Sequence, residues 1–194
     1  MVLRRYPRLT ITLRSLSYSE GIPLLNSGDI DVFCGGFQLH EGLSSFLVRK
    51  PIFTSQLAVI ARDMHPILAL PKIGPRELLD FAWLSYHSDV AYLDMIMESI
   101  AAETGHQKQA IVQCESMLTA LELLRCGDYL AFLPSSFIAS SFGTGLCVVP
   151  TQSANASFQS GMIYRRSLSE NAPFQLLCDL ADERISALNF KSTR

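Results

Sequence analysis

Apolar and polar residues follow two periods along this chain, and each period predicts one kind of element. Residues 9–13, Leu-Thr-Ile-Thr-Leu, alternate with a period of two, which is typical of a half-buried strand. Ser17 and Glu20 have the spacing of a capping box, which predicts the start of a short helix. Gly28 is the kind of residue expected where that helix ends.

The rest of the chain alternates between short apolar runs and runs with apolar residues three and four apart. The first pattern predicts buried strands and the second amphipathic helices. The predicted strands are 30–34, 56–61, 81–86, 110–114, 129–133, 146–149 and 161–164. The predicted helices begin near Pro75, Val90, Ser116 and Pro173, and the last extends to Leu188. Such alternation favours an α/β fold with a largely parallel sheet.

Small and hydroxyl-bearing residues stand where several predicted strands end. Gly35 and Gly36 follow the strand at 30–34 and let the backbone turn tightly or approach a ligand. Ser17, Ser85 and Ser116 each follow a predicted strand or end one. Ligands of open parallel sheets bind beyond the carboxyl ends of the strands, where helix N-termini present free N–H groups. Serine is also a favoured helix cap, so each residue alone fits a structural role, whereas three together predict one cleft for a small anion such as a carboxylate.

The composition indicates a folded domain that does not hold DNA by itself. Of the 194 residues, 48% are apolar and only 18% are charged, below the roughly 25% usual in soluble domains. Sixteen Lys and Arg against eighteen Asp and Glu give a net charge of -2. Counterion release therefore cannot drive strong binding to nucleic acid.

The chemistry-bearing residues form no catalytic or metal-binding motif. The five cysteines are odd in number and have no Cys-x-x-Cys pair, which favours a reducing cytoplasm and structural, reduced thiols packed in the interior. The four histidines lack a His-x-x-x-His spacing, and no Gly-x-Ser-x-Gly elbow occurs. Neither a signal peptide nor an apolar run of about 20 residues is found. We expect a cytoplasmic protein without a membrane span, metal or cofactor.

Four segments, in order, resemble the signatures of the effector-binding domain of LysR-type transcriptional regulators. They are Tyr6-Pro7 with the run from Leu24 to Val32, the pair His65-Pro66, the stretch from Ser116 to Pro134, and Tyr164-Arg165-Arg166 before the last helix. The resemblance covers nearly the whole chain. It implies the type 2 periplasmic-binding-protein fold, in which two interleaved Rossmann-like lobes surround a ligand cleft. The lobes are expected at 1–53 with 159–194 and at 54–158.

The resemblance also implies which residues line the cleft. From the first lobe they are Ser17, Tyr18, Gly36 and Phe37, and from the second Ser85, Tyr86, Ser116, Met117, Phe132 and Pro134. The implied function is that of a non-enzymatic sensor, in which a small-molecule effector changes how a homodimer or tetramer binds DNA. Two alternatives remain: a solute-binding protein of the same fold, and an enzyme using residues such as His87 and Glu115 as base and acid.

Two parts of the family's pattern are not matched in this chain. One is the N-terminal helix-turn-helix domain, so DNA is expected to be contacted only through a domain beyond these residues. The other is the first strand of the first lobe. Without that strand, a gap is expected between the strands predicted at 9–13 and 30–34.

Overall fold

The computed structural model describes residues 2–37, 42–86, 91–106, 112–151 and 156–187. Its helices are α1 (Val2–Arg5), α2 (Tyr18–Ser27), α3 (Pro75–Leu79), α4 (Ala91–Thr104), α5 (Met117–Cys126) and α6 (Ala172–Ala187). Its strands are β1 (Val32–Phe37), β2 (Leu47–Arg62), β3 (Ala82–Tyr86), β4 (Val112–Cys114), β5 (Tyr129–Pro134), β6 (Leu146–Val148) and β7 (Ala156–Arg165). The predicted α/β class is confirmed. Leu188, Val90, and residues 110 and 111 of a predicted strand lie outside the described residues.

The chain forms two compact units. Unit 1 contains Met1–Thr54 and Phe158–Arg194, and unit 2 contains Ser55–Ser157. The long strands β2 and β7 contribute residues to both units.

Unit 1 has the strand order β1-β7-β2, with a helix on each face of the sheet. β1 and β7 are antiparallel, and Val32 lies opposite Tyr164. Alternate residues of a strand point to opposite faces. Phe33 and Phe37 therefore pack with Leu25 of α2 on one face. On the other face, β7 packs against α6, where Met162, Phe174 and Cys178 form a buried cluster.

Gly35 and Gly36 lie inside β1 and do not end it, so the predicted end of this strand at residue 34 is wrong. Gly35 lies opposite Gly161 of β7, and Gly36 lies opposite Ser160. A Cβ atom on Gly161 would stand 2.1 Å from the carbonyl oxygen of Lys50 on β2. Close backbone approach between β7 and β2 thus explains glycine at position 161.

Residues 9–13 do not form the strand that their alternation predicts. The whole segment between Leu9 and Ser17 has no regular structure, and Leu13 is 91% exposed. A segment with alternating apolar and polar residues is stable as a strand only when a neighbouring strand supplies backbone hydrogen bonds and the core supplies a surface for the apolar side chains. Within the described residues β1 pairs with β7 alone, and residues 9–13 form no second strand that could leave the expected gap beside it.

Unit 2 contains the parallel part of the sheet. β3 lies between β5 and β4 and is parallel to both. β2 pairs antiparallel with β5 and with β6. The expectation of a largely parallel sheet is therefore correct only for β3, β4 and β5. Periodicity reveals the elements but not the direction in which distant strands such as β1 and β7 pair.

The core of unit 2 surrounds Trp83 and helix α5. Trp83 is fully buried, and its Nε1–H donates to the carbonyl oxygen of Leu78 at 3.0 Å. Leu121 and Leu124 of α5 pack against Leu84 and Ala131 of the parallel strands. This packing fixes α5 on the sheet and so determines where its N-terminus lies.

Candidate functional site

The carboxyl ends of the parallel strands in unit 2 meet at one edge. Ser85 lies opposite Gln113, and Tyr86 lies opposite Cys114, in the register of β3 and β4. Ser116 follows Cys114 by two residues and is the N-cap of α5. The end of β3 and the start of α5 are therefore neighbours, although about thirty residues of chain separate them.

β5 brings its own carboxyl end to the same edge from the other side of β3. Leu84 lies opposite Ala131, so Phe132 and Pro134 continue past this pair toward the edge. Six of the predicted site residues thus belong to one edge of unit 2. They are Ser85, Tyr86, Ser116, Met117, Phe132 and Pro134. Their role in ligand binding stays a prediction.

The start of α5 is an exposed helix N-terminus without an acidic residue in its first turn. The Ser116 hydroxyl accepts a hydrogen bond from the backbone N–H of Thr119 at 3.3 Å, as the sequence predicts for a cap. Ser116 itself is exposed. Glu115, which precedes Ser116, is also exposed and is not part of α5. The positive end of the helix dipole therefore faces solvent at this edge.

Around that N-terminus the edge is partly buried. Ser85 is only 3% exposed and Phe132 only 8% exposed. Tyr86 and Met117 are half-buried and pack against the core of unit 2. This edge combines hydroxyl groups, an aromatic ring and a thioether, which is the usual mixture in sites for small organic ligands.

In unit 1, the start of α2 differs from the start of α5, because a carboxylate already occupies it. The Ser17 backbone N–H donates to Glu20 Oε2 at 2.8 Å, and the Ser17 hydroxyl donates to the same oxygen at 2.7 Å. The predicted capping box is confirmed. Tyr18 stands edge-on to the Phe33 ring, with centroids 5.8 Å apart. The charge of Glu20 makes this N-terminus a poor partner for a second anion.

Near the end of β1, Gly36 and Phe37 lie beside polar residues that the sequence does not associate with them. Phe37 lies opposite Gln159 of β7, and Ser160, opposite Gly36, is buried. The Arg49 guanidinium lies over the Phe37 ring, with its carbon 5.2 Å from the ring centroid. Arg49, Gln159 and Ser160 are additional candidates that sequence reasoning misses, because only the long-range register of β1, β2 and β7 brings them together.

The expected burial of the cysteines is wrong for two of them. Cys34 and Cys126 are exposed, Cys114 and Cys147 are half-buried, and Cys178 is buried. Cys34 lies on β1, whose second edge has no partner strand within the described residues. Cys126 is the last residue of α5.

The enzyme alternative rests on His87 and Glu115. His87 lies outside the described residues, and Glu115 is exposed. No three His, Cys, Asp or Glu side chains within the described ranges are arranged to hold a metal ion. No helix among those ranges is long and apolar enough to cross a membrane.

A comparison with known families identifies the class of protein. The family model of the LysR substrate binding domain matches residues 2–186. This chain therefore belongs to the LysR substrate-binding domain family. Domains of this family are regulatory, bind small-molecule effectors and act as oligomers. No curated protein matched the chain significantly.

Solved structures of LysR regulatory domains share the fold. The regulatory domain of MetR (NMB2055) from N. meningitidis has a TM-score of 0.72 and 14% identity over 96% of this chain and 84% of that chain. The regulatory domain of CcmR from Synechocystis PCC6803, in complex with 2-PG, has a TM-score of 0.72 and 13% identity over 98% and 88%. An OxyR mutant from Corynebacterium glutamicum has a TM-score of 0.65 and 19% identity over 96% and 57%. These likenesses confirm the predicted periplasmic-binding-protein-like class.

Proposed function

We propose that this chain is a non-enzymatic sensor that binds a small anionic effector, of the carboxylate class, at the edge formed by β3, β4, β5 and α5. The observation that carries the proposal is the parallel register of Tyr86 with Cys114, followed by the exposed cap Ser116. Family membership supports effector binding as the function, and the geometry of unit 2 suggests where the effector contacts this unit.

The charge at the start of α5 supports an anion as the ligand. Free N–H groups and the helix dipole together favour negative charge at a helix N-terminus, by about 0.3–1 kcal/mol at an exposed site and more where water is partly excluded. The first turn of α5 has no acidic residue, whereas α2 has Glu20 in that position. Of the two helix starts with a predicted site serine, the start of α5 is therefore the more favourable place for the effector's charge.

The neighbouring side chains supply the rest of a binding surface. Tyr86 and Phe132 offer aromatic carbon, and Met117 offers an adaptable thioether. The Ser85 hydroxyl is buried at the strand end. A ligand with a carboxylate and a compact apolar or aromatic body fits this combination better than a sugar or a polyphosphate, which would need more hydrogen-bonding groups.

We also propose that the two lobes, 1–53 with 159–194 and 54–158, close around the effector, with Ser17, Tyr18, Gly36 and Phe37 contributing from the first lobe. The family's two-lobed architecture supports this part of the proposal. In a chain that carries a DNA-binding domain, closure would change the setting of a dimer or tetramer on DNA, because a ligand shifts a conformational equilibrium by its differential affinity. The family and its oligomeric regulators support this extension.

The proposal is tested by thermal-shift measurements against a panel of amino acids, aliphatic carboxylates and aromatic carboxylates, each paired with its neutral amide. A ligand at 100 times its dissociation constant adds about 2.7 kcal/mol to the free energy of unfolding. We expect at least one carboxylate to raise the midpoint while its amide does not. Stabilisation by amides and carboxylates alike would contradict the anionic class, and a sugar hit would contradict the proposed surface.

A further inference from the structure

Three sulfur-bearing residues lie on the α6 side of the sheet in unit 1. Cys34 of β1 lies directly opposite Met162 of β7 in antiparallel register. Such opposite residues project from the same face of a sheet, with Cβ atoms about 4.5–5.5 Å apart. Cys178 of α6 packs onto that face, and its Sγ lies 3.9 Å from Met162 Sδ.

We propose that Cys34, Met162 and Cys178 bind a soft monovalent metal ion of the Cu(I) type. Thiolate and thioether sulfur are the ligands that select Cu(I) over harder ions. With a metal–sulfur bond of about 2.3 Å, as thiolates make with zinc, three sulfurs in a plane around one ion stand about 4 Å apart. The separation of 3.9 Å between Cys178 and Met162 already matches this spacing.

The site has an apolar interior and an open side. Met162 and Cys178 are buried, with the Phe174 ring in the same cluster. Cys34 is exposed, so an ion can reach its thiol from solvent. A buried thioether and thiol behind an accessible thiol suit an ion that must lose its water.

Binding changes the charge of the cluster. It removes one proton from each thiol, so one monovalent ion with two thiolates and one thioether carries a net charge of -1, and two protons are released. Lys50 donates to Asp182 Oδ2 at 2.7 Å. Asp182 follows Cys178 by one turn of α6, so this ion pair is attached to the same face of the helix as Cys178.

The cluster is separate from the other thiols of the described chain. Cys126 is exposed at the end of α5, outside this cluster. Two other cysteines are engaged differently, because Cys114 and Cys147 donate to backbone carbonyl oxygens.

The test is a competition for Cu(I) between the whole chain and a coloured Cu(I) chelator under anaerobic conditions, repeated with Ag(I). We expect one ion per chain, two protons released per ion, and ultraviolet absorption from Cu(I)–thiolate bonds. Since loss of a supporting partner alone weakens metal affinity about 10- to 100-fold, Cys34→Ser, Cys178→Ser and Met162→Leu should each weaken binding at least tenfold.

Cys126→Ser is the matched control, because it removes an exposed thiol outside the cluster. Met162→Leu keeps the volume of the core and remains informative if Cys178→Ser does not fold. Wild-type affinity in both Cys34→Ser and Met162→Leu would overturn the proposal. An equal loss in Cys126→Ser would also overturn it, since the chain would then bind the ion through unrelated thiols. Neither result bears on effector binding in unit 2.

Discussion

Tyr86 at the end of β3 lies directly opposite Cys114 at the end of β4, in parallel register. This pairing makes neighbours of the tyrosine and of the helix cap that follows Cys114 by two residues. Two separate features of the sequence, a strand that ends in Ser-Tyr and a capped helix, therefore lie at one edge of the sheet. For the residues at this edge, the register of the strands gives a physical reason to propose one binding site.

The close approach of β7 and β2 predicts a strict requirement for glycine at position 161. Gly161→Ala would place a methyl group against the Lys50 carbonyl, which is backbone and cannot rotate away. We expect a loss of about 1–3 kcal/mol or more in the free energy of unfolding, measured by urea denaturation. Gly42→Ala is the control, since a Cβ there meets nothing within 4 Å. Equal stability of the two variants would show that β7 and β2 are farther apart than described.

The irregular conformation of residues 9–13 predicts that its apolar side chains contribute little to stability. Leu13→Ser should change the free energy of unfolding by no more than about 0.5 kcal/mol, as is usual for exposed positions. Leu130→Ala, at a fully buried position of β5, should cost about 2–5 kcal/mol. Denaturant titrations of the two variants compare these costs. A large loss in Leu13→Ser would mean that the segment is a packed strand after all.

The buried imidazole of His65 predicts that the protein loses stability in mild acid. Its Nδ1 accepts the backbone N–H of Ile67 at 3.1 Å, and burial lowers its pKa, although Asp128 opposes this effect and Arg62 adds to it. The unfolded chain, with a histidine pKa of about 6.5, therefore binds a proton more readily than the folded chain. The free energy of unfolding should fall as the pH drops below about 6.5 and stay level above it.

His65→Asn tests this dependence, because asparagine can still cap the Ile67 N–H but does not titrate. The measurement is the unfolding midpoint between about pH 8 and pH 5.5, above the range in which carboxylates titrate. The variant should give the flatter curve, whatever its absolute stability. Parallel curves for the two proteins would exclude His65 as the group responsible.

The elements with local signals could be predicted from the sequence, and those that depend on distant pairing could not. Ser17 and Ser116 cap helices as predicted, because capping uses residues two or three positions apart. The strand predicted at 9–13 does not form. Alternation of apolar and polar residues does not by itself supply the neighbouring strand with which a strand must pair. The contact of Arg49 with Phe37 depends on how the strands of unit 1 pair with one another, and no local sequence pattern encodes that pairing.

The ten predicted site residues divide in the same way. Ser85 and Ser116 can be related to each other from the sequence alone, because parallel strands end at one edge. The difference between the two helix starts cannot be read fully from the sequence, since the Glu20 carboxylate accepts from both the backbone and the hydroxyl of Ser17 only in the folded geometry.

The role of Ser116 predicts separate effects on stability and on binding. Ser116→Ala removes the cap on Thr119 and should cost about 1 kcal/mol of stability. Ser140→Ala is a matched control in the same unit, because Ser140 is also exposed and accepts from the Phe142 N–H at 3.2 Å, away from the strand ends. Thermal melts without ligand should show small losses of stability, similar in size, for Ser116→Ala and Ser140→Ala. A loss several times larger in Ser116→Ala would indicate a structural role beyond capping.

The central claim is that a small carboxylate binds at the edge where β3, β4 and α5 meet. The most direct measurement is calorimetric titration of the best carboxylate from the thermal-shift panel into the wild type, Ser116→Ala and Ser140→Ala. The account predicts one site per chain, with binding weakened about tenfold or more in Ser116→Ala, which is about 1.4 kcal/mol, and unchanged in Ser140→Ala. Identical affinities for all three proteins would contradict it.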